Sequence, residues 1–85
     1  MYLHLGGEHV IRGEEIVAII QVDAARSPIT REFLELLRAE RRLVDLSGGA
    51  PKSCVITPMG AYLSAISTAT LQKRCEDAYR FGGWA

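Results

Sequence analysis

The segment "IVAIIQV", at residues 16–22, limits the possible folds of this chain more than any other feature. It is apolar at nearly every position, which is typical of a strand covered on both faces. The chain has 85 residues, so we expect one domain, 1–85, of only modest burial. Hydrophobic residues make up 48% of it, which is high for a small monomer. We therefore expect another subunit to cover part of the apolar surface.

Two strands are predicted before the first helix. The opening "MYLHLG" places aliphatic residues on one side and Tyr2 and His4 on the other, as in a half-buried strand. The following segment, 9–23, reads as one bent or broken strand, because Gly13 favours a bulge or turn.

The clearest helix is predicted in "RSPITREFLELLRAERR", residues 26–42. Ser27 is a favourable N-cap, and Pro28 suits the first helical position because its missing N–H would have no partner there. The helix carries one apolar stripe, which consists of Ile29, Phe33, Leu36 and Leu37.

The second half of the chain predicts three strands and a helix. Residues 43–46 and 54–57 read as a hairpin around the Gly-rich turn "SGGAPK", and "TPMG" at 57–60 predicts the next turn. A last helix opens at Ser67 or Thr68. Its apolar face consists of Leu71, Cys75, Ala78 and Tyr79, with Gly82 as its cap. The order β-β-α-β-β-β-α predicts an α+β domain: a small, mixed-order antiparallel sheet with two helices.

Several classes of protein are disfavoured by the residues. No segment approaches the roughly 20 apolar residues that span a membrane, and the start lacks the pattern of a signal peptide. His4 and His9 do not have the spacing of a zinc site, and we expect no metal or cofactor. Cys54 and Cys75 fit no disulfide framework, which favours two reduced, packed thiols in a cytoplasmic protein.

The segment "GGAPKS" resembles a phosphate-binding P-loop but departs from it twice. Pro51 stands where the glycine before the lysine belongs, and Leu46 replaces the first glycine. No residues here have the spacing of an enzyme site, so the residues favour a binding or assembly module. Lys52 at the loop tip either contacts a phosphate or keeps a hairpin soluble. Phe81 and Trp84 near the end either fold back on the core or anchor a neighbouring subunit.

Four segments together resemble one known family. "MYLHLG", "SPITREFL", "GAPKSCVIT" and "LSAISTATLQKR" occur in the order and spacing found in the RemA and RemB bacterial extracellular matrix regulators. The resemblance runs from Met1 to about Arg74 and is closer to the RemB branch. It implies a cytoplasmic, DNA-binding transcription regulator of matrix and biofilm genes. It also implies a fold similar to LytTR-type DNA-binding domains and assembly into a ring.

The resemblance also assigns roles to residues. In RemA an arginine pair in the loop and one arginine near the apolar strand are the expected DNA contacts. Here Gly49 and Ala50 align with the pair, and about Glu15 aligns with the strand arginine. The expected contacts to the phosphate backbone of duplex DNA are therefore Lys52, Ser53, Gly48, Gly49 and Arg12. Expected contacts between subunits are Ser27, Pro28 and Ile29, together with Trp84, which lies beyond the resemblance and is expected from the aromatic tail.

Two functions follow from this reading. The first is an oligomeric DNA-binding regulator in which a ring repeats the contact of Lys52 many times. The alternative is a ring-forming interaction protein that modulates a paralogous regulator without binding DNA itself. An enzyme or small-ligand sensor is a third, weaker hypothesis.

Overall fold

A computed structural model describes residues 1–23 and 27–81 of the chain. The elements follow in the order β1 (Tyr2–Gly6), β2 (His9–Arg12), β3 (Ala18–Gln21), α1 (Pro28–Ala39), β4 (Leu43–Asp45), β5 (Ser53–Thr57), β6 (Gly60–Ser64) and α2 (Thr68–Phe81). The α+β class with two helices is confirmed, but three strands precede α1 where two were predicted, because the segment 9–23 divides into β2 and β3. The likeness to LytTR-type domains and the ring remain predictions.

The strands form two sheets within the described residues. Strands β1 and β2 pair antiparallel, and the other four lie in the order β3-β5-β6-β4. Strand β4 pairs with β6 in parallel, while β5 pairs antiparallel with both β3 and β6. The predicted hairpin of β4 and β5 is therefore wrong, because β6 lies between them. The predicted turn between β5 and β6 is confirmed.

The four-stranded sheet is covered on both faces. On one face, Val55 and half-buried Ile19 pack with residues of β1, β2 and α2. On the other, Cys54 and Ile20 pack with Leu37 of α1. Ile19 and Ile20, which are neighbours in β3, thus belong to hydrophobic clusters on opposite faces of the sheet, as the apolar run predicts. Strand β3 is an edge strand, however, so its residues are only half-buried and Val17 just before it is 66% exposed.

The predicted break at Gly13 is confirmed. Residues 13–15 form a single 3₁₀ turn that separates β2 from β3. The end of the flexible Met1 side chain lies against Gly13, so a larger residue at position 13 would displace that side chain.

Arg42 and Gly60 make the close contact at which β4 meets β6. The amide of Ala61 donates to the carbonyl of Arg42 at 2.9 Å, and a Cβ on Gly60 would overlap that carbonyl. The Arg42 guanidinium also donates to the carbonyls of Pro58 and Met59, at 3.1 and 3.0 Å. Arg42 therefore joins the end of α1 to the turn between β5 and β6.

We expect Gly60→Ala to destabilise the fold by about 3 kcal/mol or more. The new methyl group meets a backbone carbonyl, and the φ of Gly60, 149°, is unfavourable for alanine. Gly49→Ala is the matched control, because Gly49 also has a positive φ, 92°, but nothing lies within 4 Å of the added Cβ. It should cost only about 1 kcal/mol. Urea unfolding measures both, and equal losses would contradict the packing argument.

Both cysteines are free thiols, as predicted. Cys54 is 1% exposed in the cluster beneath α1, and burial raises the pKa of its thiol from 9.0 to about 11. Burial also raises the pKa of half-buried Cys75, with a smaller contribution from Glu76. Neither thiol is poised to act as a thiolate nucleophile at neutral pH.

The raised pKa of Cys54 predicts alkaline destabilisation. Below pH 9 both states keep the proton, so the thiol adds no pH dependence. Between pH 9 and about 11 only the unfolded state loses it, so the free energy of unfolding falls by up to about 1.4 kcal/mol per pH unit. Urea unfolding under reducing conditions should show this slope in the parent and a shallower one in Cys54→Ala. Identical slopes would contradict the assignment.

Candidate nucleic-acid interface

The Gly-rich segment 46–52 passes around the end of β6 instead of forming a hairpin tip. At its start, the amide of Leu46 donates to the carbonyl of Leu63 at 2.8 Å. At its finish, the amide of Lys52 donates to the carbonyl of Ser64 at 2.8 Å. The loop is thus fixed at both ends to β6. It lies at the end of the sheet at which the chain leaves β6 and continues to α2.

Glycines and an Asx-type turn shape the loop. The carboxylate of Asp45 accepts hydrogen bonds from both the hydroxyl and the amide of Ser47, and these bonds lower the pKa of Asp45. Gly48 and Gly49 follow with φ values of 69° and 92°. The backbone there is exposed and carries no side chain, so a ligand can approach it closely.

Two buried serines hold the chain between β6 and α2. Ser64 donates to the carbonyl of Leu5 at 2.6 Å and accepts from the amide of Ile66 at 3.1 Å. Ser53, directly opposite Ser64 in the sheet, donates to the carbonyl of Ile66 at 2.7 Å. These bonds tie residues 65–67 to the sheet and so determine where α2 begins.

Helix α2 begins next to Lys52. Ser67 is its N-cap, since its hydroxyl accepts from the amide of Thr70 at 3.2 Å. The amides of Thr68 and Ala69 remain as helix-start donors, with no acceptor among the described residues. The positive end of the helix dipole therefore lies at the same end of the sheet as Lys52.

Lys52 and the start of α2 line one open cleft. Its volume is ≈ 330 Å³. Its lining consists of Gln21, Val22, Asp23, Pro51, Lys52, Ser67 and Thr68. Lys52 is exposed and forms no ion pair in the described part of the chain. An ammonium group beside a helix N-terminus favours an anion, and Asp23 opposes it.

Of the five predicted DNA contacts, only Lys52 lines this cleft, while Gly48 and Gly49 lie in the adjoining loop and the other two lie elsewhere. Ser53 is 0% exposed, and its hydroxyl is used by Ile66, so it positions α2 and offers nothing to a phosphate. Arg12 ends β2 and pairs with Glu14 at 3.4 Å. The turn that follows leads into β3 at the end opposite Lys52. The expected surface therefore contracts to Lys52, Gly48 and Gly49.

The predicted subunit contacts lie at the start of α1, except one. Ser27 occupies the N-cap position without a capping bond from its side chain, Pro28 is the first helical residue, and Ile29 is 79% exposed. Of the predicted apolar stripe, Leu37 is buried, while Phe33 and Leu36 are 39% and 57% exposed. Trp84 lies outside the described residues. The start of α1 thus exposes an apolar flank to solvent.

Other kinds of site find no support in the described residues, 1–23 and 27–81. No group of histidine, cysteine and acidic side chains there is arranged to hold a metal ion. None of the described helices combines the length and the apolar character needed to cross a bilayer.

Comparison with known proteins decides the family. Residues 2–75 match the family described as "RemA-like: Extracellular matrix regulatory protein A-like". The chain belongs to this family. It is also 40% identical over 76 residues to "Extracellular matrix regulatory protein B" of Bacillus subtilis (strain 168), which covers 89% of this chain and 91% of the relative. The predicted RemB-like membership of the RemA-like family is thereby confirmed, and both descriptions name regulatory proteins.

Sequence reasoning missed the residues that position the start of α2. Ser64 and Ser67 were not singled out as site residues, although both lie in the segment "LSAISTATLQKR". The signal was Ser64 at the end of the apolar strand β6, because a polar side chain in a buried strand needs a hydrogen-bond partner.

Proposed function

We propose that this chain is an oligomeric, DNA-binding regulator of extracellular matrix genes in the bacterial cytoplasm. The observation that carries the proposal is the cleft in which Lys52 meets the N-terminus of α2. A phosphate of duplex DNA is the ligand to which both groups are suited. Family membership supports the regulatory role.

The contact reads the DNA backbone rather than its bases. Lys52 supplies one charge, and Gly48 and Gly49 supply one exposed stretch of backbone, with no side chain that recognises a base edge. Preference among DNA sequences then comes from groove shape and the ease of bending.

Assembly compensates for the weakness of one contact. A single lysine per subunit gives little affinity, but a ring presents it repeatedly to one duplex, which raises avidity by orders of magnitude. The exposed flank of α1, including Ile29 and Leu36, supports self-association, because a monomer would leave these side chains in water.

One observation favours the alternative, in which the ring modulates a paralogous regulator without binding DNA. The loop carries Gly49 and Ala50 where the family resemblance leads us to expect an arginine pair, and Asp23 lies in the same cleft as Lys52. The cleft therefore has little net positive charge. Duplex binding at low salt distinguishes the two functions.

We expect Lys52→Ala to weaken binding to duplex DNA by at least about tenfold and to flatten the dependence on salt. Each phosphate contact contributes about 0.9 to the slope of log affinity against log salt. The loss is repeated in every subunit of an oligomer. A mobility shift at two salt concentrations measures both quantities.

Two matched variants control for charge. Asp23→Asn should strengthen binding, because it removes the opposing carboxylate from the cleft. Arg12→Ala removes an equal positive charge far from the cleft and should change affinity little. Weakening by Arg12→Ala as large as that by Lys52→Ala would place the interface elsewhere. No binding by the parent at low salt would favour the alternative function.

A further inference from the structure

Helix α1 ends in a Schellman motif with an arginine in the position that usually holds glycine. The amide of Arg42 donates to the carbonyl of Leu37 at 2.7 Å, and that of Arg41 donates to the carbonyl of Arg38 at 3.1 Å. Arg41 consequently has a φ of 58°, the one positive φ at a non-glycine residue in the described chain. Glycine adopts this backbone conformation without strain, whereas a side chain costs stability.

The two neighbouring arginines differ in what they contact. The guanidinium of Arg42 is fully engaged by the carbonyls of Pro58 and Met59 and by the carboxylate of Glu40. The guanidinium of Arg41 is exposed and has no hydrogen bond or ion pair among the described residues. The backbone is therefore strained at Arg41, although the charge of its side chain has no partner among the described residues. Strain of this kind, retained at a surface, points to a contact outside the chain.

An exposed apolar side chain lies on the turn that Arg42, the neighbour of Arg41, contacts. Met59 is 81% exposed, at the turn between β5 and β6. Its carbonyl accepts from Arg42, and its amide donates to the hydroxyl of Thr57 at 3.2 Å, so the turn is held on both sides. We call Arg41 and Met59 the corner. It lies at the end of the sheet opposite Lys52, because β5 and β6 run from the loop to this turn and back.

A surface of complementary chemistry lies on the flank of α1. Ile29, Phe33 and Leu36 follow one another at helical spacing and are 79%, 39% and 57% exposed. We call these three residues the α1 stripe. Glu32 borders it, is exposed and has no ion pair in the described part of the chain. The stripe therefore combines exposed apolar area with an unpaired negative charge.

We propose that the corner of one copy of this chain docks on the α1 stripe of the next copy. Met59 then covers the apolar side chains, and Arg41 pairs with Glu32. The inference rests on the self-assembly proposed above and names the two surfaces that make it. The surfaces differ, so the contact joins copies head to tail, which yields a closed ring when the rotation between copies closes.

The variant Arg41→Gly separates this role from a structural one. Glycine relieves the strained φ, so the melting temperature of the dissociated chain should rise relative to the parent. The same change removes the charge that pairs with Glu32, so the association constant should fall at least about tenfold. Thermal unfolding at submicromolar concentration and light scattering at micromolar concentration measure the two effects. Unchanged association would overturn the proposal.

Mixing two broken variants tests the head-to-tail geometry. The first carries Arg41→Glu and Met59→Asp, and the second carries Ile29→Asp and Leu36→Asp, all at exposed positions. Each alone should give the mass of one chain by light scattering. An equal mixture should give one-to-one dimers, since a single intact pair of surfaces remains and growth stops there.

Other outcomes decide against the proposal. Retained assembly of the corner variant, with loss only in the stripe variant, would mean that the stripe pairs with itself. A mixture that stays dissociated would also overturn the proposal. If the parent chain is itself a monomer, both this inference and the proposed assembly fail. DNA binding is judged separately by mobility shift of the parent, so loss of assembly and loss of the DNA function are distinguishable.

Discussion

The parallel pairing of β4 with β6 is the constraint on which the rest of the structure depends. It begins where the carbonyl of Arg42 accepts the amide of Ala61, a contact that only glycine at position 60 permits. Because β6 then lies between β4 and β5, the segment that joins them must pass around the end of β6. This loop places Lys52 beside the residues at which the chain leaves β6 and enters α2. The same contact places the end of α1 beside the turn at Met59.

The two ends of the four-stranded sheet therefore differ in the side chains and backbone groups that they expose. At one end the loop, Lys52 and the start of α2 combine exposed backbone with positive charge suited to phosphate. At the other end Arg41 and Met59 form the exposed corner. Four or five residues of extended strand separate the ends by roughly 16 Å. In the proposed assembly, one end is thus free to contact a long ligand while the other contacts a neighbouring subunit.

Local sequence patterns predicted the helices, strands and turns, but they did not predict which strands pair when the partners are distant in sequence. The helix at Ser27 and Pro28 and the turn before Gly60 follow from caps and turn chemistry, and the structure has both. The sequence "SGGAPK" equally suits a hairpin turn and a crossing loop, because glycine and proline indicate a change of direction but not which strands pair. The pairing of β4 is set by contacts some 18 residues apart, such as that of Arg42 with Gly60, which leave no local pattern.

For the same reason, the sequence predicted only the part of the candidate site that depends on local features. Lys52 is conspicuous as an isolated charge in a loop, and its exposure agrees with that reading. Ser53, its neighbour, was expected to face the same ligand. Alternation in β5 instead turns its side chain into the protein, where its hydroxyl donates a hydrogen bond to the carbonyl of Ile66. The part played by the start of α2 depends on tertiary hydrogen bonds from Ser53 and Ser64 that sequence spacing does not reveal.

Hydrogen–deuterium exchange with and without duplex DNA tests the central claim most directly. We expect DNA to slow exchange in peptides that cover the loop, 46–52, and the start of α2, 67–71. Exchange at the turn 57–60 should not change, because that turn lies at the opposite end of the sheet. Protection at the turn, with the loop and the start of α2 unaffected by DNA that the protein binds, would contradict the account.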